Sequence, residues 1–592
     1  MENNNLNKTN IYYKNSFIKV ILFIIIIFAI SPIFKDFSNI STKEDYLICF
    51  SYEYYSIKSI LEFHEFPLWS PYFNGGYPIF AHPEASAANP WLFLFLCFDE
   101  VKGIKISIIL SALIGAFGMF YLTKSVLKFN NASAFFSSLL FTLSGFNITI
   151  LTEYWSQTIY FYYFLPLILA TFIKSKEDKK FLIITSLLTL PILVCGALSF
   201  VILCLFLFLF SVFDAFSKSD SKVQFKLTLL KNLLIVLTLT SAIGMFKILP
   251  MVQLLARNIR AIDNYSMLDK FCIDFKILFD QLINPLNILP AYPSIYFGYI
   301  PILFCLLSLV FYTKQLWRIF FVLFIFIILT LGSKSPINIL KLLWHLPFYH
   351  SILDIKEYSY PVISFLISLL SGKFLQITDD KKRLKVLKAV VISAALLSVG
   401  ELLFIYQSSF TDIFNAKKPE VTSNKLFYQV RVIPQNNYNM RAFLQYKNLF
   451  NNVGTLNWES DIPLPINAEP KFMQDSGNNF NLIPNPRYKG EAYFLNPENK
   501  AAITKITSNL ITVKINANSP DKLIINQNAF PGWRCSSGEI KPYNNLLSVD
   551  ISKEGSHEVI FKFMPRSFYL GLLISAISFV ISMLYLFWFS RV

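Results

Sequence analysis

Charge is scarce in this chain: 15% of its 592 residues are Asp, Glu, Lys or Arg, while 54% are hydrophobic and 61 are Phe. A soluble protein of this size cannot cover so much apolar surface with so few charges. Acids are the scarcer sign, 37 against 53 Lys and Arg. That surplus invites a nucleic-acid reading, but the basic residues cluster in short loops between apolar runs, as the positive-inside rule requires, so no nucleic-acid partner is expected. Histidine is rarer still, with five in all and no HExxH, which argues against a zinc hydrolase. The seven cysteines, Cys49, Cys97, Cys195, Cys204, Cys272, Cys305 and Cys535, form no CxxC pair and lie mostly in apolar segments. They read as small core hydrophobes rather than a disulfide or metal framework. No repeat shows at solenoid periods.

What the chain has in abundance is long apolar runs. Twelve are read as membrane spans: 17–34, 105–123, 133–150, 159–173, 180–195, 197–213, 228–250, 298–313, 317–332, 359–376, 388–406 and 568–589. The first follows Lys8 and Lys14, is longer than a signal-peptide core and has no small-x-small site after it, so it reads as an uncleaved span. With the N-terminus inside, the cytoplasmic loops hold Lys124 and Lys128; Lys174, Lys176, Lys179 and Lys180; Lys218, Lys222 and Lys226; Lys314 and Arg318; and Lys381, Lys382, Arg383 and Lys385. All five basic loops fall on one side, which puts both termini in the cytoplasm.

The expected fold is therefore a polytopic α-helical membrane protein with a β-sandwich-like domain outside the membrane. Residues 1–406 form a membrane domain of eleven spans with a large first outer loop, 35–104. Residues 407–567 form the mostly β extracytoplasmic domain, and 568–592 the last helix. Segments 251–297 and 333–358 also face outward. In the third region Ile511–Asn516 alternates with period two, as do Val559, Phe561 and Phe563, and Leu523–Ile525 is a further strand. Residues 435–500, rich in Asn and Pro, read as irregular connections.

Two features of the first outer loop carry the functional reading. One is Asp45, followed by a stretch from Tyr46 to Phe66 with helical spacing of Ile48, Tyr55, Ile57, Leu61 and Phe63, expected to lie on the membrane surface. At the start of that helix a carboxylate is electrostatically favoured and can act as a cap. The other is PLWSPYFNGGYP at 67–78, where Pro71, Gly75, Gly76 and Pro78 interleave with Trp69, Tyr72, Phe73 and Tyr77. Its prolines and glycines predict a fixed loop. Its aromatics suit interface anchoring or stacking on sugar rings.

Asp45, Pro67-Leu68-Trp69, Pro71-Tyr72, Gly75-Gly76-Tyr77-Pro78, His82-Pro83-Glu84 and Asn89-Pro90 together resemble the YfhO family of bacterial membrane proteins. Ser144-Gly145-Phe146, Leu249-Pro250 and Phe297-Gly298-Tyr299-Ile300 are weaker matches. Asn528-Ala529-Phe530-Pro531-Gly532-Trp533 and Pro565-Arg566-Ser567-Phe568-Tyr569-Leu570-Gly571 resemble that family's closing signature, so the likeness runs nearly the full length. The chain departs from the pattern with Ser70 in place of Asn, Glu84 in place of Gln, and Lys356 near the tenth span where an arginine is usual. Lysine carries charge without the two-pronged geometry of arginine.

Such proteins resemble the GT-C superfamily of membrane glycosyltransferases. The resemblance implies transfer of a sugar from a polyprenyl-phosphate carrier to a glycan or lipid acceptor on the outer face of the bacterial cytoplasmic membrane. It implies Asp45 as general base in an inverting displacement. Lys247, Arg257, Arg260 and Lys356 are then the cations available to a leaving phosphate, each of them also suited to snorkelling or lipid headgroups. Trp69, Tyr72, Tyr77, Glu84 and Glu153 are candidate acceptor or sugar contacts, and the two acids also suit a divalent metal such as Mg or Mn or plain solvation. Glu401, inside an apolar run, is an intramembrane acid that marks function or reaches the interface. The outer segments offer no P-loop or glycine fingerprint for a nucleotide sugar. A transporter or flippase of lipid-linked glycans is the alternative, weakened by the lack of repeated halves, and a non-catalytic envelope scaffold is another.

Overall fold

The computed structural model describes residues 2–589 except 85, 217–226, 258–264, 286–293, 347, 348, 350, 351, 353, 380–384, 412, 421–425, 434–437, 458–463 and 476–480. Among the described residues nine helices are long and apolar enough to cross a membrane: Ser16–Phe34, Glu100–Val126, Asn131–Glu153, Ser156–Lys174, Ala197–Ala215, Tyr299–Lys334, Ile355–Asp379, Lys385–Phe410 and Arg566–Trp588. A bent pair, Thr228–Ile243 and Met245–Leu255, turns by 79° and makes a tenth if counted as one span. Lys180–Cys195 is apolar but has only 16 residues. The separate spans expected at 298–313 and 317–332 correspond to two helical segments that meet at a kink. The stretch Tyr299–Leu331 is two helices joined at Tyr312, whose φ of −126° and ψ of 18° leave the helical region. The expected basic loops around Lys218 and Lys381 lie outside the described residues.

Three helices form the centre of the membrane part. Asn131–Glu153, Ser156–Lys174 and Ile355–Asp379 are mostly buried, whereas Ser16–Phe34, Lys385–Phe410 and Arg566–Trp588 are largely exposed around them. Polar side chains in the centre find partners across helices: Asn147, fully buried, donates to Tyr406 Oη at 3.1 Å and accepts from Tyr163.

Between Phe410 and Arg566 the described residues build three sheets. A mixed sheet has the order Val453–Thr455, Tyr428–Val432, Phe472–Gln474, Leu482–Pro484, with the first two strands parallel and joined through the helix Tyr438–Phe450. Among the described residues of 435–500, the reading as irregular connections is corrected for the helix Tyr438–Phe450 and the short strands Val453–Thr455, Phe472–Gln474, Leu482–Pro484 and Ala492–Phe494. In the helix, Gln445 and Asn448 interrupt a buried face otherwise made of Ala442, Leu444, Tyr446, Leu449 and Phe450, which blurs the apolar period. Gln445 donates to Asn457 O, and Asn448 donates to Thr455 Oγ1 and Gln474 Oε1. Two antiparallel sheets follow. One holds Leu546–Ile551, Asp521–Asn528 and Ala492–Phe494; the other holds Lys500–Ile506, Leu510–Ala517, Gly555–Phe563 and Trp533–Cys535. Ile511, Val513, Ile515, Leu523, Ile525, Val549, Val559 and Phe561 meet in one core, as the period-two runs predict.

The loop 67–78 joins this outer region to the membrane part. Ser70 and Tyr77 exchange backbone hydrogen bonds of 2.7 and 2.9 Å, closing the loop as a small hairpin. Its tip is read by the strand Asp521–Asn528: Asn528 N donates to Gly75 O at 2.6 Å, and Asn528 Nδ2 to Asn74 O and Gly76 O at 2.7 and 3.0 Å. On its other side Thr455 N donates to Tyr72 O and Asn74 N donates to Thr455 O. Trp69, fully buried, packs its ring 5.0 Å from Phe563 and 5.3 Å from Trp533. The opening and closing signatures, some 450 positions apart, are each other's packing partners.

Gly76 has φ +101°, and a Cβ there would lie 2.5 Å from both Gln527 Oε1 and Trp69 Cζ2. Gly76→Ala is expected to cost about 2–4 kcal/mol through backbone strain and overpacking. In the intact protein this reads as faster limited proteolysis of 407–565 with the membrane helices unchanged. An unaltered digestion rate would contradict the joint.

Candidate active site

Asp45 is the second residue of the helix Glu44–Ile57; the N-cap is Lys43, with φ −69° and ψ 141° and no side-chain cap bond. Capping therefore does not account for Asp45, although the helix start still favours its charge. Nor does the helix lie on the membrane surface as its spacing suggested. Tyr46, Leu47, Phe50, Ser51, Tyr52, Glu53, Tyr55 and Ser56 are buried between the membrane helices and the outer region. The large aromatics that resembled an interfacial face fill two protein surfaces instead. Tyr54 stacks on Phe450 at 4.1 Å, and Tyr46 stacks on Tyr154 at 4.6 Å.

Several contacts fix the first turn. Lys43 Nζ forms an ion pair with Glu153 Oε1. Glu44 N donates to Asn439 Oδ1 at 3.0 Å, and Tyr46 Oη donates to Leu151 O at 2.6 Å. Asp45 is held between the helix 438–450 on one side and the outer end of the helix Gly145–Glu153 on the other.

A cavity of about 290 Å3 opens in front of it. Asp45, Ile48, Cys49 and Tyr52 line it from one face of the helix, at the spacing of successive turns. Glu84 comes from the loop after the signature, Trp155 and Gln157 from the turn between two spans, and Glu357 from the first turn of Ile355–Phe374. Glu357 Oε1 accepts from Gln157 Nε2 at 3.2 Å and Thr158 Oγ1 at 3.4 Å. A narrow extension of about 10 Å3 leads inward to Glu53, Asn89 and Tyr160. There Asn89 Nδ2 donates to Glu53 Oε1 at 3.1 Å and Asn89 Oδ1 accepts from Tyr160. Burial pushes the Cys49 thiol well above its ordinary range; the Ser156 hydroxyl lowers it, and the Asp45, Glu84 and Glu53 carboxylates raise it further. The thiol is therefore a wall, not a nucleophile.

Glu84 is positioned from behind. Glu84 N donates to His82 Nδ1 at 3.2 Å, and Lys247 Nζ donates to His82 O at 2.6 Å and Phe80 O at 2.8 Å. Burial, with the Lys247 charge added, pushes the His82 imidazole down to about 3, so it is neutral and accepts at Nδ1.

Among the candidates named from the sequence, the cavity unites Asp45 and Glu84, with Glu153 adjoining it through Lys43. The other assignments, Arg260 apart, are corrected. Trp69, Tyr72 and Tyr77 are 0%, 1% and 2% exposed, their rings buried toward the outer region, so no ring face is open to a sugar. Lys247 is fully buried and donates to loop carbonyls rather than facing a phosphate. Lys356 is buried, donates to Phe271 O at 2.6 Å and pairs with Asp354 at 3.2 Å. Arg257 is exposed and stacks 5.5 Å from the Phe530 ring, away from the residues that line the cavity. Arg260 lies outside the described residues. Glu401 accepts from Tyr296 and does not line the cavity. Among the described residues no three His, Cys, Asp or Glu side chains are grouped to hold a metal ion. Sequence reasoning passed over Glu44, Glu53, Trp155 and Glu357. The i, i+4, i+7 spacing of Asp45, Cys49 and Tyr52 points along the helix toward Glu53, but nothing local brings Glu357 to Asp45.

A family model described as bacterial membrane protein YfhO matches residues 90–430, a stretch that begins after Asp45 and the loop 67–78. Among solved structures, arabinofuranosyltransferase AftD from Mycobacteria is similar over 76% of this chain and 32% of its own, at 11% identity and a TM-score of 0.49. Archaeal oligosaccharyltransferase AglB from Archaeoglobus fulgidus, in complex with an inhibitory peptide and a dolichol-phosphate, is similar over 75% of this chain and 65% of its own. The identity there is 10% and the TM-score 0.43. The chain spans about a third of the length of AftD. No curated protein matches it in sequence.

His82 gives the site an acid sensitivity. The unfolded chain takes up a proton at its imidazole below about pH 6.5, whereas the folded one does so only near 3. Folding stability is expected to fall as pH drops through that window. His82→Gln removes this contribution and flattens the profile, read as the thermal midpoint of the detergent-solubilised protein at pH 4 to 7. Parallel profiles would contradict a buried neutral imidazole.

Proposed function

The chain belongs to the YfhO family of bacterial membrane proteins, and from that premise we propose that it is a membrane glycosyltransferase using a polyprenyl-phosphate sugar as donor. The reading places it in the cytoplasmic membrane, with both termini inside and the cavity and sheet region outside. What carries it is the setting of Asp45. A half-buried carboxylate sits at a helix start, in a cavity whose other groups are carboxylates, amides and aromatic rings. Such a lining suits a polyhydroxylated ligand, which offers donors to the acids and an apolar ring face to Trp155.

In the proposed reaction an acceptor hydroxyl enters the cavity and attacks the anomeric carbon of the donor sugar. The new C–O bond forms as the C–O bond to the carrier phosphate breaks. The hydroxyl proton passes to Asp45, and the carrier phosphate departs with the bonding electrons, inverting the anomeric centre. Asp45 serves as base because an uncharged hydroxyl is a weak nucleophile until its proton is accepted. Glu84 and Glu357 then hold the acceptor's other hydroxyls at a fixed distance from the base. Lys247 and Lys356 act as positioning residues for the loop that carries Glu84 and for the start of the helix that carries Glu357. The acidic lining favours the acceptor end of the reaction here and leaves the carrier phosphate toward the lipid.

Membranes containing the protein are expected to transfer radiolabel from polyprenyl-phosphate sugars to an envelope glycan or lipid. Asp45→Asn should lower that rate by about 10²–10⁴-fold while the thermal midpoint stays unchanged. Equal transfer by both proteins would place the base elsewhere. Lipid movement across the bilayer with no covalent product would replace the enzyme by a flippase.

A further inference from the structure

The sheet formed by Lys500–Ile506, Leu510–Ala517, Gly555–Phe563 and Trp533–Cys535 buries one face in the sandwich core and turns the other outward. Its register decides which side chains share the outer face. Lys500 lies opposite Asn516, which lies opposite Ser556. Ala502, Lys514 and Glu558 form the next row, and Lys505, Thr512 and Ile560 another. Lys562 lies between Leu510 and Arg534. Because Ile511, Val513, Val559 and Phe561 alternate inward, Lys500, Lys505, Lys514, Arg534 and Lys562 all point out, with Glu558 the one acid in these rows. All five cations are exposed, and among the described residues none forms an ion pair. A surface that only needs to stay soluble mixes its signs, and like charges on neighbouring strands destabilise a sheet.

At the end of this sheet farthest from the last span, the outward face runs into a cleft of about 880 Å3 against the strand Ala492–Phe494. Lys489, Lys500 and Lys514 line it together with Tyr493, Asn516 and Ser556. The Lys489 ammonium lies 5.6 Å from the centre of the Tyr493 ring. Cations, amides, hydroxyls and an accessible ring are the groups that hold a sugar carrying an anion: the ring packs on the pyranose face and the lysines meet the charge.

We infer that this face and its cleft bind a linear anionic polysaccharide. A lipid headgroup has the same charge, but position argues against it. Lys562 stands four residues before Arg566, where the last span begins, and Ser556 stands six residues farther up the strand, about 20 Å at ~3.4 Å per residue. The cleft is thus carried away from the end of the sheet that is tied to the membrane part. The polymer lies along the row of cations with its sugars in the cleft. The inference is about binding and does not depend on the proposed transfer reaction.

The test is equilibrium binding to the full-length protein in nanodiscs of zwitterionic lipid, without any donor sugar. Oligogalacturonate, with a carboxylate on each sugar, is expected to bind at least about tenfold more tightly than neutral dextran oligosaccharide, and more weakly as salt rises from about 0.05 to 0.5 M. The double variant Lys500→Glu/Lys514→Glu should lose at least about tenfold in affinity. Lys541→Glu, in the segment before Leu546–Ile551 and paired with Asp550, should bind as wild type. Equal binding of dextran, no loss in the double variant, or an equal loss in Lys541→Glu would each overturn the inference. So would capture of the detergent-solubilised protein by phosphatidylglycerol vesicles through these lysines with no polysaccharide bound. Because no transfer is measured, failure here leaves the role of Asp45 standing, and failure of transfer leaves this site standing.

Discussion

The hydrogen bonds between Asn528 and the tip of the loop 67–78 are the constraint on which the rest of the arrangement depends. Three backbone carbonyls at Asn74, Gly75 and Gly76 point the same way only because this turn has positive φ at all three residues. One asparagine then satisfies all of them, through its backbone N–H and its side-chain amide. Around this polar core Trp69, Phe530, Trp533 and Phe563 exclude water, which strengthens the bonds inside. The sheet region is thereby held against the helix that carries Asp45, and Tyr55 of that helix donates to Trp69 O and Ser508 Oγ. A loop whose aromatics suit sugar stacking instead sets the distance between two structural units.

The same economy governs the lysines. In a membrane protein a buried ammonium must find acceptors, and carbonyls of irregular loops are the unpaired acceptors available. Lys105 meets Asp36 O, Phe37 O and Asn39 O; Lys247 meets Phe80 O and His82 O; Lys356 meets Phe271 O. Each ties a connecting segment to a helix near the outer surface. The carboxylates Glu44, Asp45, Glu84 and Glu357 line the cavity, and in the proposed reaction that acidic lining suits an acceptor's hydroxyls better than the carrier phosphate.

Much of this was legible in the order of residues, and the limits are physical. Apolar runs identify spans because a bilayer tolerates little else, and the alternation of Ile511, Val513 and Ile515 identifies a half-buried strand. The helix Tyr438–Phe450 escaped because Gln445 and Asn448 are buried among its apolar residues, and the partners of Asn448, Thr455 and Gln474, cannot be inferred from the helix alone. The break between two expected spans, by contrast, was legible: it falls at Tyr312, beside Lys314 and Arg318, because positive charge marks a membrane boundary.

Sequence alone determined that the chain crosses a membrane many times, that strands precede its last helix, and that Asp45 stands at a helix start, since all three depend on solvent and on neighbours within a few turns. Tertiary structure decided that Trp69, Tyr72 and Tyr77 face protein, that Lys247 and Lys356 are occupied, and that Glu357 joins Asp45 from some 310 positions away. Those outcomes turn on which distant groups meet, and a side chain's own chemistry does not specify its partner.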